Sequence, residues 1–109
     1  MKSILTLGLL FLLSLSITAK ERITILPIGD SITEGKEGEF ESYLFPLWEM
    51  LYTAGYQFEF VGPRSTSTRI GALNHCAEGG KNAEYLETMI DSVYRRFPAD
   101  IVLLHSGHN

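Results

Sequence analysis

The sequence contains one cysteine, Cys76, among its 109 residues. A lone cysteine excludes an internal disulfide, even in a compartment that would permit one. We expect Cys76 to be a small buried residue and not a reactive thiol. No Cys/His spacing is that of a zinc site. The sequence therefore predicts no metal, and we expect no cofactor.

Basic residues are also scarce. Nine Lys and Arg stand against 13 Asp and Glu, for a formal net charge of −4 at pH 7. Only Arg95 and Arg96 are adjacent to each other, and they fall at the end of a predicted helix, where cations suit the helix dipole. Nucleic acids and anionic membranes attract Lys and Arg clusters. We therefore expect neither nucleic acid nor an anionic membrane surface as a partner.

Long apolar runs are absent apart from residues 4–17. A membrane span needs roughly 20 apolar residues, so this run is short for a span. It follows a positively charged start, and small residues at Ser14, Ser16 and Ala19 have cleavage spacing. The pattern predicts a signal peptide over residues 1–19 and a secreted or periplasmic protein, with no stable membrane anchor after cleavage. An uncleaved anchor is the alternative.

The remaining residues 20–109 are enough for at most one domain. The sequence is 45% hydrophobic and 20% charged, which is typical of a globular protein. Periodicity predicts five elements with a long structureless loop between the second strand and the second helix. The strands span 22–28, 56–61 and 100–104, the helices span 42–54 and 81–97, and the loop spans 62–80. We expect Ser42 to cap the first helix and Gly55 to end it. The last strand is apolar throughout, so we expect it to be buried on both faces.

Alternating strands and helices indicate an α/β fold with a parallel sheet. Ligand sites of such sheets lie beyond the carboxyl ends of the strands. Residues 29–31, 79–80 and 107–109 fall at those ends or open a nearby helix. Ser31 can present a hydroxyl there, Gly80 a backbone N–H at a helix start, and Asn109 a side-chain amide. Nucleophilic catalysis needs such donors. Taken alone, however, Gly29-Asp30-Ser31 is common turn and cap chemistry.

These segments together resemble the SGNH, or GDSL, hydrolase family. Residues 28–35, Ile-Gly-Asp-Ser-Ile-Thr-Glu-Gly, match its first block; Gly80 matches the glycine of its second; and residues 105–109, His-Ser-Gly-His-Asn, match the start of its third. The resemblance covers residues 23–109. Intervening segments (47–48, 54–56 and 60–63) are similar to the branch that contains carbohydrate acetyl esterases.

The resemblance implies a flavodoxin-like three-layer fold, here truncated after the third strand, and hydrolysis of a small-molecule or glycan ester. Ser31 would be the nucleophile, Gly80 and Asn109 would complete the oxyanion hole, and Gly29, Asp30 and Gly107 would support the site. Family members also carry Asp-x-x-His near the C-terminus, whose histidine is the general base. The 109 residues contain no such motif.

A serine without a base is a poor nucleophile at neutral pH. The sequence is therefore interpreted as a fragment that lacks its Asp/His block and is inactive alone. Replacement of that base by His75, His105 or His108 is the less favoured reading. A carbohydrate-binding relative that has lost catalysis, and a nonfunctional fragment, are the alternatives to an esterase.

Overall fold

The structure is a computed structural model that describes residues 22–109. The predicted signal peptide, residues 1–19, lies outside this range. Among residues 22–109 no helix has the length and apolar character needed to cross a membrane. The elements of the described residues are β1 (Ile23–Gly29), α1 (Ser31–Glu34), α2 (Leu44–Thr53), β2 (Phe58–Phe60), β3 (Arg64–Thr68), β4 (Gly71–Ala77), α3 (Ala83–Arg96) and β5 (Ile101–His105).

Strand β1 is the centre of the sheet. One of its edges pairs in parallel with β5 over residues 25–29. The other edge pairs in parallel with β2 near its start and with β4 at Ile28 and Gly29. Strand β3 pairs antiparallel with β4. The prediction of an α/β fold is confirmed, and the sheet is parallel as predicted except for β3.

A helix covers each face of β1, because alternate side chains of a strand point to opposite faces. Ile25 packs on the face covered by α2, and Leu26 and Ile28 pack on the face covered by α3. The buried residues of the α2 side are Ile25, Leu44, Phe45, Phe60 and Leu73. Those of the α3 side are Leu26, Ile28, Cys76, Leu86 and Val93.

Both long helices form where periodicity predicts them, and local capping explains their ends. The Ser42 hydroxyl accepts the Leu44 N–H at 3.1 Å before α2, and Gly55 follows that helix with a φ of 85°. The Asn82 side chain accepts the Tyr85 N–H at 3.0 Å and so caps α3. The arrangement of α2, sheet and α3 produces three layers.

The prediction of a structureless loop over residues 62–80 is wrong. Strands β3 and β4 form a hairpin there, joined by a turn at Arg69 and Ile70. The Thr68 hydroxyl accepts the Ile70 N–H and donates to the Gly71 carbonyl. The segment is rich in Ser and Thr and has no apolar periodicity, so pairing with β1 decides its structure and local hydrophobicity does not.

The prediction that the last strand is buried on both faces is also wrong. Ile101, Val102 and Leu104 keep 44%, 41% and 61% of their surface exposed. Within residues 22–109, β5 pairs with β1 alone, so its other edge is unpaired. The expectation of three strands is corrected to five in the described residues, since the hairpin adds two.

Candidate active site

Ser31 is the first residue of α1, immediately after the carboxyl end of β1. Asp30 is the cap of that turn: its buried Oδ1 accepts the Ile32 N–H at 3.0 Å. The Asp30 carbonyl accepts the N–H groups of Thr33 and Glu34. Among the hydrogen bonds of residues 22–109, none uses the Ser31 N–H or hydroxyl. Both groups are therefore available at the rim of the sheet.

Gly29 lets β1, β5 and α1 approach closely beneath Ser31. A Cβ atom at this position would lie 2.7 Å from the backbone oxygen of His105 and even closer to Thr33 Oγ1. The absence of a side chain thus sets the distance between the nucleophile turn and the end of β5. Gly29, which is predicted to support the site, therefore lies at the point where β1, β5 and α1 meet beneath Ser31.

The turn over residues 78–81 carries the second predicted donor. Glu78 N–H donates to the Gly29 carbonyl at 3.2 Å, and Lys81 N–H donates to the Glu78 carbonyl at 3.3 Å. Gly79 N–H donates to Glu34 Oε1 at 3.0 Å. Gly80 has a φ of 81°. In the described part of the chain, its N–H is the only one of this turn that has no acceptor.

The structure brings the three predicted segments together. A Cβ on Gly79 would lie 3.5 Å from Ser31 Cβ, so the turn of Gly80 sits against α1. Asn109 Nδ2 donates to the Lys81 carbonyl at 2.8 Å, which places the end of the β5 loop beside the same turn. Gly107 lies in that loop with a φ of 108°, a conformation that favours glycine.

Glu34 lies within the segment 28–35 that resembles the first block of the family, but the sequence predicts no role for it. Besides accepting from Gly79, its carboxylate accepts from Arg64 Nη2 through Oε2 at 2.7 Å. Its backbone carbonyl accepts the Thr66 hydroxyl at 2.7 Å. No sequence signal indicates these contacts, because Arg64 and Thr66 lie in the segment predicted to be a loop.

His75 is buried, and both of its ring nitrogens are engaged. Nδ1 accepts the Ala77 N–H at 3.1 Å, so Nε2 carries the proton and donates to Thr66 Oγ1 at 2.8 Å. Burial lowers the pKa of His75, which favours the neutral ring. His75 therefore has no free nitrogen for Ser31. His105 and His108 are exposed, and in residues 22–109 neither is hydrogen-bonded to Ser31.

A pocket of about 580 Å³ opens next to the nucleophile turn. Thr33 and Glu34 of α1 contribute to its wall, and its buried apolar lining comes from Leu44, Phe45 and Leu73. Its exposed lining is mostly charged or hydroxylated. These exposed residues include Lys36, Glu37, Glu39, Glu41, Ser67 and Arg69.

Cys76 lies in the core on the α3 side of the sheet, where burial raises the pKa of its thiol. The expectation of a buried, unreactive position agrees with this placement. Among residues 22–109, no cluster of three or more His, Cys, Asp or Glu side chains is arranged to hold a metal ion.

One solved structure similar to this chain is the Clostridium thermocellum family 3 carbohydrate esterase. The two are 31% identical with a TM-score of 0.75, over 82% of this chain and 45% of the esterase. The chain thus spans about half the length of that protein. No family model matches the chain, and no curated protein does.

Proposed function

We propose that the chain is the N-terminal part of a secreted serine esterase of the SGNH/GDSL type, which removes acetyl groups from carbohydrate. One observation carries the proposal: the Ser31 and Gly80 N–H groups lack acceptors in residues 22–109, while hydrogen bonds hold the N–H groups of Ile32, Gly79 and Lys81. Two free donors next to a serine hydroxyl are the arrangement that an acyl transfer to water requires.

In the proposed reaction, Ser31 Oγ attacks the carbonyl carbon of the ester as a general base takes its proton. The carbonyl oxygen becomes an oxyanion that accepts from the Ser31 N–H, the Gly80 N–H and the second hydrogen of the Asn109 amide, whose first hydrogen is donated to the Lys81 carbonyl. Collapse breaks the bond to the alcohol, which leaves with the proton from the base. Water then attacks the acyl-serine, releasing the acid and the free Ser31 hydroxyl.

We place the general base in an Asp-x-x-His segment beyond Asn109 in the whole protein. His75 supports this, because both its ring nitrogens are hydrogen-bonded inside the fold. The similar esterase, of which this chain covers 45%, is long enough to hold such a segment. The 109 residues alone are then expected to be inactive.

The carbohydrate part of the proposal rests on the similarity to the Clostridium thermocellum family 3 carbohydrate esterase and on the pocket beside α1. Charged and hydroxyl side chains at the rim of that pocket can hydrogen-bond an alcohol rich in hydroxyl groups. Secretion rests on the apolar run of residues 4–17 and the small residues that follow it.

A fluorophosphonate probe tests the proposal, because it labels activated serine nucleophiles covalently. The wild-type protein, extended by the residues encoded after Asn109, is expected to acquire the label on Ser31, and Ser31→Ala is the matched control. The 109-residue chain alone is expected to label far more slowly. A folded, extended protein that stays unlabelled contradicts the proposal; binding of acetylated glycans without turnover would instead indicate a non-catalytic relative.

A further inference from the structure

Glu34 joins the nucleophile turn to the turn of Gly80. It lies three residues after Ser31 in α1, and its Oε1 accepts the Gly79 N–H at 3.0 Å. Its Oε2 accepts Arg64 Nη2 at 2.7 Å. Both carboxylate oxygens are thus used, one on the turn that precedes α3 and one on strand β3.

The backbone of Glu34 is fixed as well. Its N–H donates to the Asp30 carbonyl at 2.9 Å, and its carbonyl accepts the Thr66 hydroxyl at 2.7 Å. Thr66 is held in turn by buried His75. The carboxylate therefore extends from an anchored residue, so its position relative to Ser31 is set by the hairpin.

The contact with Gly79 restrains the turn that carries Gly80, together with the Lys81 N–H donated to the Glu78 carbonyl. Gly79 packs against Ser31, and the peptide that follows it carries the Gly80 N–H. A hydrogen bond to an ionised acceptor is roughly twice as strong as one between neutral groups. Holding the Gly79 amide thus fixes the orientation of a donor that must already be in place when an oxyanion forms.

We infer that Glu34 is a positioning residue, which orients the Gly80 N–H toward the oxyanion by binding the Gly79 amide, with Arg64 holding the carboxylate in place. The inference rests on the proposed esterase function. An exposed ion pair alone contributes little to stability. The Glu34–Arg64 pair is only partly exposed. It differs from an ordinary surface ion pair because the same carboxylate also accepts the backbone N–H of Gly79.

Kinetics of the extended protein separate positioning from a structural role. Glu34→Ala is expected to lower kcat by about 10- to 100-fold, less than the about 10²- to 10³-fold of a lost donor, with KM changed by under about threefold. Glu34→Gln keeps an oxygen for Gly79 and should recover most of kcat. The control Asp91→Ala breaks the exposed Arg95–Asp91 pair of α3 and should leave kcat unchanged.

Amide hydrogen exchange of Gly79 and Gly80 gives a readout that is independent of activity. Glu34→Ala should accelerate exchange at Gly79, and Asp91→Ala should not.

Two outcomes separate the proposed function from the positioning inference. If the wild type neither reacts with the probe nor hydrolyses esters while the Gly79 amide loses protection in Glu34→Ala, the proposed function is wrong and the contact between Glu34 and Gly79 is confirmed. If the wild type is active and Glu34→Ala retains its kcat, the positioning inference is overturned. Should Glu34→Ala fail to fold, Glu34→Leu, which keeps the bulk of the side chain but has no acceptor, decides: faster Gly79 exchange together with a lower kcat supports the inference, and any other combination overturns it.

Discussion

Substituting Gly29 by alanine tests the close packing under the nucleophile turn. The added Cβ would lie 2.7 Å from the His105 backbone oxygen and closer still to Thr33 Oγ1. The His105 oxygen belongs to β5, which pairs with β1 at this point, and Thr33 Oγ1 donates to Tyr43 at 3.1 Å. Neither atom is the free end of a flexible side chain, so the backbone must shift.

Overpacking of this kind typically lowers the free energy of unfolding by about 1–3 kcal/mol. For a domain of this size each kcal/mol shifts Tm by about 4–8 °C, so we expect Tm to fall by roughly 5–20 °C. Thermal unfolding followed by circular dichroism measures the shift. Urea denaturation of the same variants provides the free energies.

Removing Thr33 Oγ1 should relieve one of the two clashes. Gly29→Ala and Thr33→Ala are therefore expected to couple by more than about 0.5 kcal/mol in a double-mutant cycle. Gly55→Ala is the control, because no heavy atom lies within 4 Å of its Cβ position, and it should be additive with Thr33→Ala. A Gly29→Ala protein as stable as the wild type would refute the packing argument.

Three further substitutions probe separate parts of the account. Burial lowers the pKa of His75 from its ordinary 6.5, so the unfolded chain binds the extra proton as pH falls. The free energy of unfolding should therefore decrease as pH falls through about 6.5, and His75→Gln should remove that component in urea titrations. Asn82→Ala should lower the free energy of unfolding by about 1 kcal/mol through loss of the α3 cap, whereas Asn82→Asp should retain it. Asn109→Ala in the extended protein should lower kcat by about 10²- to 10³-fold in steady-state ester hydrolysis, and an unchanged kcat would remove Asn109 from the oxyanion hole.

The elements that sequence predicts well are those whose burial pattern is local. Leu86 and Val93 of α3 stand seven residues apart on one stripe, and both are buried. Strand β1 is an apolar segment that ends at glycine, and it forms the centre of the sheet. In each case a short window of sequence contains the information.

The hairpin and the contacts of Glu34 depend on distant residues. Strand β4 is placed by pairing Cys76 with Ile28, and its Ser- and Thr-rich partner β3 has no apolar pattern to mark it. The hydrogen bond from Gly79 to Glu34 spans 45 residues. A glutamate in a polar turn is ordinarily a solvated residue, so its place in the site becomes visible only once the strands are assembled.

A crystal structure of the extended protein after reaction with a phosphonate ester most directly tests the central claim. We expect phosphorus bonded to Ser31 Oγ, with one phosphoryl oxygen at about 2.7–3.1 Å from the backbone nitrogens of Ser31 and Gly80 and from the Asn109 amide nitrogen. Phosphorus on another residue, or a phosphoryl oxygen directed away from the Gly80 N–H, would contradict the claim.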